Sequence, residues 1–131
     1  MIDDDTLISK ARSVLNPRRL SQHVEVGGVG CALVTDKGNV YVGVCIDTAC
    51  GMGFCAEHAA VASMITAGES KIVTIVAVNS DGKIIPPCGR CREFIYQIND
   101  DNGETRVILR NKVATLSLLL PEHWMSKVSN Y

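Results

Sequence analysis

The period of the apolar positions changes several times along the chain, and each change marks an element. Residues 3–15 carry Leu7, Ile8, Ala11, Val14 and Leu15, a spacing that gathers apolar side chains on one helical face. Asn16-Pro17 ends that helix, because a residue before proline is pushed out of helical geometry. The polar stretch 17–28, with Gly27-Gly28, reads as a loop. Val29 to Thr35 is an apolar run of strand length. A turn at Asp36-Lys37-Gly38-Asn39 follows, then a second strand from Val40 to Ile46, which together predict a hairpin. Residues 47–54, with Gly51 and Gly53, read as a loop.

Cys55 to Ala67 is alanine-rich and free of Pro and Gly, and Gly68 follows; this predicts a mostly buried helix with a glycine stop. Lys71 to Asn79 is a buried strand through Ile72, Val73, Ile75, Val76 and Val78, and Ser80-Asp81-Gly82-Lys83 is a turn. Pro86-Pro87 bars a helix, after which Cys91, Phe94, Ile95 and Ile98 fall at helical spacing within Cys88 to Ile98. Thr105 to Leu109 is a further strand, and apolar Leu116 to Leu120 stops at Pro121. The order α-β-β-α-β-α-β, with a short terminal element, predicts a mixed sheet covered by helices, with one hairpin and βαβ crossovers. There is no repeat, low-complexity tract or linker, and 131 residues suit one domain spanning 1–131.

Composition narrows the function. Hydrophobic residues are 47% and charged residues 21%, a globular rather than a disordered balance. Thirteen basic against fourteen acidic residues leave a net charge of −1, which disfavours a polyanion-coating protein. Aromatics at 5% give little material for stacking on nucleic acid bases, so no nucleic acid partner is expected. No apolar run approaches the ~20 residues that span a bilayer, so no membrane partner is expected either. Met1-Ile2-Asp3-Asp4-Asp5 lacks the basic-then-apolar order of a signal peptide, and a cytoplasmic location is expected.

Six cysteines therefore need a reason other than a disulfide framework. Cys31, inside an apolar run, reads as a buried inert thiol. Cys45, Cys50 and Cys55 cluster, and Cys88 and Cys91 form a C-x-x-C. Cys55-Ala56-Glu57 opens one predicted helix and Pro87-Cys88-Gly89-Arg90-Cys91 opens the next. A C-x-x-C at a helix start can put two thiolates on one ion, and a third from a neighbouring helix start completes a three-ligand site. Helix N-termini suit this, since their free N–H groups and positive dipole ends stabilise thiolates. Three protein ligands on zinc leave a fourth position for water, the catalytic arrangement. Glu57, two residues past Cys55, could accept a proton from that water and deliver it to a leaving amine.

These residues resemble the zinc-dependent cytidine deaminase superfamily, whose motif is a His or Cys, a glutamate two residues on, then P-C-x-x-C. The resemblance extends to Val29-Gly30-Cys31-Ala32-Leu33, similar to the family's first-strand V-G-A-A-L, and to Leu119-Leu120-Pro121 followed by Trp124. It implies a three-layer α-β-α sandwich on a mixed, about five-stranded sheet. A Cys as first ligand is similar to the free-nucleoside branch, which includes cytidine deaminase and blasticidin S deaminase. Carried over, Cys55, Cys88 and Cys91 would bind Zn²⁺ and Glu57 would be the proton shuttle. The implied reaction is hydrolytic loss of ammonia from C4 of a cytosine ring in a small nucleoside. Ala56, Cys45 and Asp47 would line the substrate site. His58 and Arg90 would offset thiolate charge from outside the ligand set. Relatives of this length form homotetramers, so a homotetramer is implied.

Three departures bear on substrate. The family's N-[IV]-E-N segment, which holds ribose, corresponds to Cys45-Ile46-Asp47-Thr48. Gly27 stands where relatives carry Phe, and His58 where C-A-E-R is common. A sugar unlike ribose, or a modified base, is therefore open. Other readings stand beside these. Cys50, Cys55, Cys88 and Cys91 could form a closed four-thiolate structural zinc module, or Cys88 and Cys91 a redox pair. Asp47 could be a turn residue, Arg90 and Arg92 surface charges, and His23 and His123 solvated. Trp124 could pack or stack on substrate.

Overall fold

The computed structural model describes residues 1–127. Helix α1 spans Asp4–Ser13; the Asp3 carboxylate caps it by accepting from the Thr6 amide at 2.8 Å. Strands β1 (Arg18–Arg19), β2 (Val24–Thr35) and β3 (Val40–Thr48) precede α2 (Ala56–Thr66). Then come β4 (Ile72–Val78), β5 (Ile84–Ile85), α3 (Gly89–Ile98), β6 (Arg106–Ile108), β7 (Val113–Thr115) and α4 (Leu116–Leu119). Short 3₁₀ turns occupy Asp100–Glu104 and Trp124–Lys127.

The sheet runs β3-β2-β4-β6-β7, with β1 beside β2 and β5 beside β4. Among the described residues only β4 and β6 pair in parallel, through the α3 crossover. β3 and β4 both run antiparallel to β2, so α2 carries the chain across β2 between two strands of the same direction. The sheet has seven strands against the about five expected, and the two-residue β1 and β5 are the short additions to it.

The stretch expected as a loop over 17–28 instead contains β1 and the first part of β2. The two glycines there do not break the strand. Gly27 takes φ 80° where the β2–β3 register shifts between Val26 and Gly30, a bulge that strands tolerate. A Cβ at Gly27 would lie 2.2 Å from the Asn16 carbonyl oxygen, so this backbone leaves no room for the aromatic of relatives. Strand β7, absent from the sequence reading, supplies the sheet edge just before α4.

Alternation along β2 builds two cores. Cys31 and Leu33 face Ala60, Val61 and Met64 of α2 and Ile95 of α3. Ala32 and Val34 face Leu7 and Ala11 of α1, with Val76 and Val78 of β4. Helices thus cover both faces of the sheet, as the three-layer expectation requires. On the first face α2 lies very close to β3: a Cβ on Gly43 would meet the Ala60 amide nitrogen at 2.4 Å. Glycine on the strand and alanines on the helix allow that approach, which sets the start of α2 beside β3 and α3.

Candidate metal and catalytic site

Cys55 is the N-cap of α2 and Cys88 the N-cap of α3, while Cys91 lies one turn into α3 and is fully buried. The Cys88 sulfur lies 3.5 Å from both the Cys55 and the Cys91 sulfurs. Ligands of a tetrahedral ion at ~2.3 Å from each sulfur stand about 3.8 Å apart, and both of these sulfur pairs stand close to that spacing. Their electrostatics agree. Burial raises the Cys55 thiol above its ordinary pKa, and burial together with the Glu57 charge raises Cys91 much further. Burial opposes ionisation of Cys88 too, but the Cys91 amide and the neighbouring thiols outweigh it, and its pKa is lowered. Sulfurs so crowded, next to a buried carboxyl, ionise together only around a cation.

Glu57 is 4% exposed and lines a cavity of about 540 Å³. Desolvation raises its pKa, although its own amide and Cys91 partly offset the rise. Cys55, Ala56, Cys88 and Arg90 line the same cavity, and so do Cys45 and Asp47 of β3. Cys91 and His58 are buried behind it. Loop 49–54, which leads into Cys55, is pinned across β3. Ile46 and Phe54 exchange two backbone hydrogen bonds of 3.0 Å, and Thr48 Oγ1 accepts from the Met52 and Gly53 amides.

His58 Nδ1 lies 3.5 Å from the Cys91 sulfur, and Cys55, His58 and Cys91 hold their ligand atoms within 4.8 Å of one another. The imidazole is stacked between two rings, Phe94 at 4.2 Å and Phe54 at 6.4 Å. Burial, and secondarily the Arg90 charge, lowers its pKa. Arg90 itself reaches the Gly53 carbonyl at 3.4 Å, and Arg92 donates to the Pro87 and Leu119 carbonyls, tying the Cys88 loop to α4. The sequence reading did not include this ring stack. The spacing of Phe54 and His58, four residues apart, is a usable local signal, but the approach of Phe94 from α3 has none.

Cys45 is buried and its sulfur accepts from the Val29 amide at 3.3 Å, with the Asp47 carboxylate at 3.9 Å. The thiol is thus taken up by protein groups. Cys50 is exposed and has no sulfur contact among the described residues, so the donor next to the three thiols is His58 and not a fourth cysteine. Cys31 is buried, as expected. His23 is exposed, whereas His123 packs tilted against Tyr96, ring centroids 4.2 Å apart, instead of standing free in solvent. Trp124 is 49% exposed and does not line the cavity.

Two helix starts converge thiols and a buried carboxyl on the floor of an open cleft, an arrangement typical of metal-dependent hydrolytic enzymes. The family description "Cytidine and deoxycytidylate deaminase zinc-binding region" matches residues 1–104. The chain belongs to that family and is a zinc-dependent deaminase. It is 33% identical to the cytidine deaminase of Halalkalibacterium halodurans over 99 residues, 71% of this chain and 74% of that one. It is 37% identical to the blasticidin-S deaminase of Bacillus cereus over 82 residues, 56% of this chain and 59% of that one. The crystal structure of cytidine deaminase from Mycobacterium leprae superposes with a TM-score of 0.79 at 26% identity, covering 93% of this chain and 100% of that chain.

Proposed function

We propose that the protein hydrolytically deaminates the cytosine ring of a free nucleoside, cytidine, deoxycytidine or an analogue such as blasticidin S, and releases ammonia. The observation that carries this reading is the buried Glu57 carboxyl beside three converging thiols on the floor of the cleft. Cys55, Cys88 and Cys91 are the zinc ligands. Zinc bound there would supply the Lewis acidity that makes water a nucleophile near neutral pH. Glu57 carries the protons. Two residues past Cys55 and facing the cleft, the carboxyl is placed to accept a proton and return it to the leaving amine. Ala56 and Asp47 line the ring and sugar side, and Cys45, committed to Val29, has little left for a sugar hydroxyl. A closed structural zinc module leaves Glu57 and the open cleft without a role, and Cys50 does not join the donors.

The six free cysteines suit a reducing compartment, and we place the protein in the cytoplasm. Met52, Ile65 and Leu118 are large apolar side chains left exposed, which supports the homotetramer implied by its relatives; light scattering of the purified protein tests it. The reaction is tested with Glu57→Gln. Zinc content and fold are expected to persist while deamination falls at least ~100-fold, the lower range for proton transfer catalysis. Loss of zinc in that variant would make Glu57 a structural group and overturn its assignment.

A further inference from the structure

Beyond the carboxyl ends of β4 and β6, the parallel pair, lies a groove of about 410 Å³ that shares no lining residue with the catalytic cleft. Crevices at the carboxyl ends of strands are where open α/β sheets commonly take their ligands. The lining is Arg12 at the end of α1, Lys83 and Ile84 at β5, and Arg110 just past β6. The three cations are exposed, and no carboxylate lines the groove with them. The ion pairs among the described residues join Arg19 to Glu25, Lys71 to Asp101 and Arg106 to Asp4, so none neutralises Arg12, Lys83 or Arg110. Asp81 sits in the same turn as Lys83 but neither lines the groove nor pairs with one of the three.

The backbone that carries these cations is fixed. Asn79 Oδ1 accepts from the Asp81 and Lys83 amides, both at 3.0 Å, and Gly82 takes a φ of 76° inside that turn. Arg12 Nε donates to the Gly82 carbonyl at 2.8 Å. That bond joins α1 to the turn and leaves the two terminal nitrogens of the guanidinium without a partner among the described residues. The Leu109 amide donates to the Lys112 carbonyl at 2.8 Å and closes the turn that holds Arg110. Like charges gathered in this way repel one another, and an anion among them turns the repulsion into attraction. Guanidinium forks and an ammonium suit a phosphate group. The volume falls within the ~300–1,000 Å³ of small-molecule sites, and Ile84 supplies an apolar wall for an organic part beside the phosphate.

We propose that this groove is an effector site for a phosphorylated small molecule, and that its occupancy is transmitted to the catalytic cleft through β5. Successive residues of a strand face opposite sides of a sheet. Ile84 packs into the core against α1 and lines the groove, whereas Ile85 lines the cleft together with Glu57 and Pro86. Strand β5 is two residues long, pairs with Ala77 and Val78 of β4, and continues through Pro86-Pro87 into Cys88. An anion that holds Lys83 against Arg12 and Arg110 therefore also steadies Ile85 and Pro86 at the cleft wall. The anion site stands independently of the deaminase reading; its coupling to the cleft rests on that reading.

The test titrates ribose 5-phosphate, inorganic phosphate and ribose into the zinc-loaded protein by calorimetry, with chloride holding the ionic strength constant. Ribose 5-phosphate is expected to bind, inorganic phosphate to bind more weakly, and ribose not to bind. Equal affinities for the ester and the free ion would assign the site to free phosphate. The double variant Lys83→Gln with Arg110→Gln removes two side chains that have no protein partner, so the fold should persist while affinity falls about tenfold or more, as loss of charge-assisted bonds predicts. Lys112→Gln, in the same turn as Arg110 but outside the groove, should change nothing. Binding that survives the double variant, as it would for phosphate on the zinc, overturns the site, and so does the absence of phosphate binding or an equal loss in Lys112→Gln. Coupling is read from the dissociation constant of cytidine for zinc-loaded Glu57→Gln. Saturating ribose 5-phosphate should tighten it about fivefold or more, and cytidine should tighten ribose 5-phosphate by the same factor. Phosphate binding that leaves cytidine affinity unchanged overturns the coupling. If cytidine binds neither with nor without ribose 5-phosphate, the deaminase reading fails for this nucleoside, while the titrations alone decide the anion site.

Discussion

The two faces of the sheet are covered by helices in different ways. Strand β2 serves both, with Cys31 and Leu33 on one side and Ala32 and Val34 on the other. Against α1 the core is made by Leu7, Ala11, Val76, Val78 and Ile108, with the buried Thr74 hydroxyl accepting from Arg106 beside it. Against α2 and α3 the interior also holds Glu57, His58 and Cys91. Burying polar and ionisable groups is costly unless something compensates them, so their concentration on one face marks where function overrides stability. The α1 face holds itself together by packing, whereas the other needs a cation among its sulfurs. The difference explains why one helix starts with an ordinary aspartate cap, Asp3, and the other two start with cysteines.

The largest effects should separate these faces. Cys91→Ala is expected to lose zinc and melting temperature together, because metal affinity at such a site is in part folding free energy. Leu7→Ala should cost about 2–5 kcal/mol, the usual penalty for emptying a buried leucine site, while zinc stoichiometry stays at one per chain. Metal analysis beside thermal melts reads both, and a strong chelator added to the wild-type protein should mimic Cys91→Ala but not Leu7→Ala. A protein that keeps its melting temperature after complete zinc removal would mean that the sulfur-rich face is self-sufficient.

These faces were unequally legible in the sequence. The thiols and Glu57 sit at fixed local spacings, in C-A-E and P-C-G-R-C, and helix starts carry such spacing intact into three dimensions. Helices α2 and α3 and the central strands followed from apolar runs and glycine stops. What stayed hidden was non-local. The β1–β2 pairing passes through a bulge that Gly27-Gly28 disguised as a loop, and β5 and β7 are too short to show a period. Phe94 reaches His58 from another helix, and the basic groove gathers Arg12, Lys83 and Arg110 from three separate segments. The resemblance pointed to His58 as unusual but not to its place inside a ring stack.

A smaller effect should appear at that histidine. Three thiolates on Zn²⁺ would carry a net −1, and an imidazole 3.5 Å from the Cys91 sulfur can donate a hydrogen bond to it. On this view His58→Ala lowers activity or zinc affinity by about tenfold or more, the range for groups that act through a ligand. His58→Arg, which restores a donor and adds charge, should be milder, and His123→Ala, at a ring packed against Tyr96, should leave both unchanged. Competition with a chromophoric chelator gives the affinities. Equal and negligible effects of both His58 substitutions would reduce the ring to packing between Phe54 and Phe94.

The smallest effect belongs to the α1 face and should be indifferent to zinc. Arg106 grips the Asp4 carboxylate with two nitrogens, at 2.9 and 2.8 Å, joining the first turn of α1 to β6. The hydrogen bond from Arg106 lowers the Asp4 pKa, against a smaller desolvation cost. A carboxylate whose folded pKa is depressed contributes stability above its unfolded value of about 3.9, and loses it as pH falls through the folded value. The side chains are 44% and 38% exposed, so solvent screening limits the pair to about 0–1 kcal/mol. Arg106 also donates to Thr74 Oγ1 at 3.0 Å, so a single substitution at Arg106 removes more than the pair. A double-mutant cycle with Asp4→Asn and Arg106→Gln isolates the coupling. It should be measurable by urea unfolding near neutral pH, shrink as pH falls below about 4, and weaken with salt. The same coupling should survive chelation, because no sulfur or zinc contact touches α1. A coupling that vanishes with zinc would show that the two faces fold as one linked unit, and that the division between a packed face and a metal-dependent face is wrong.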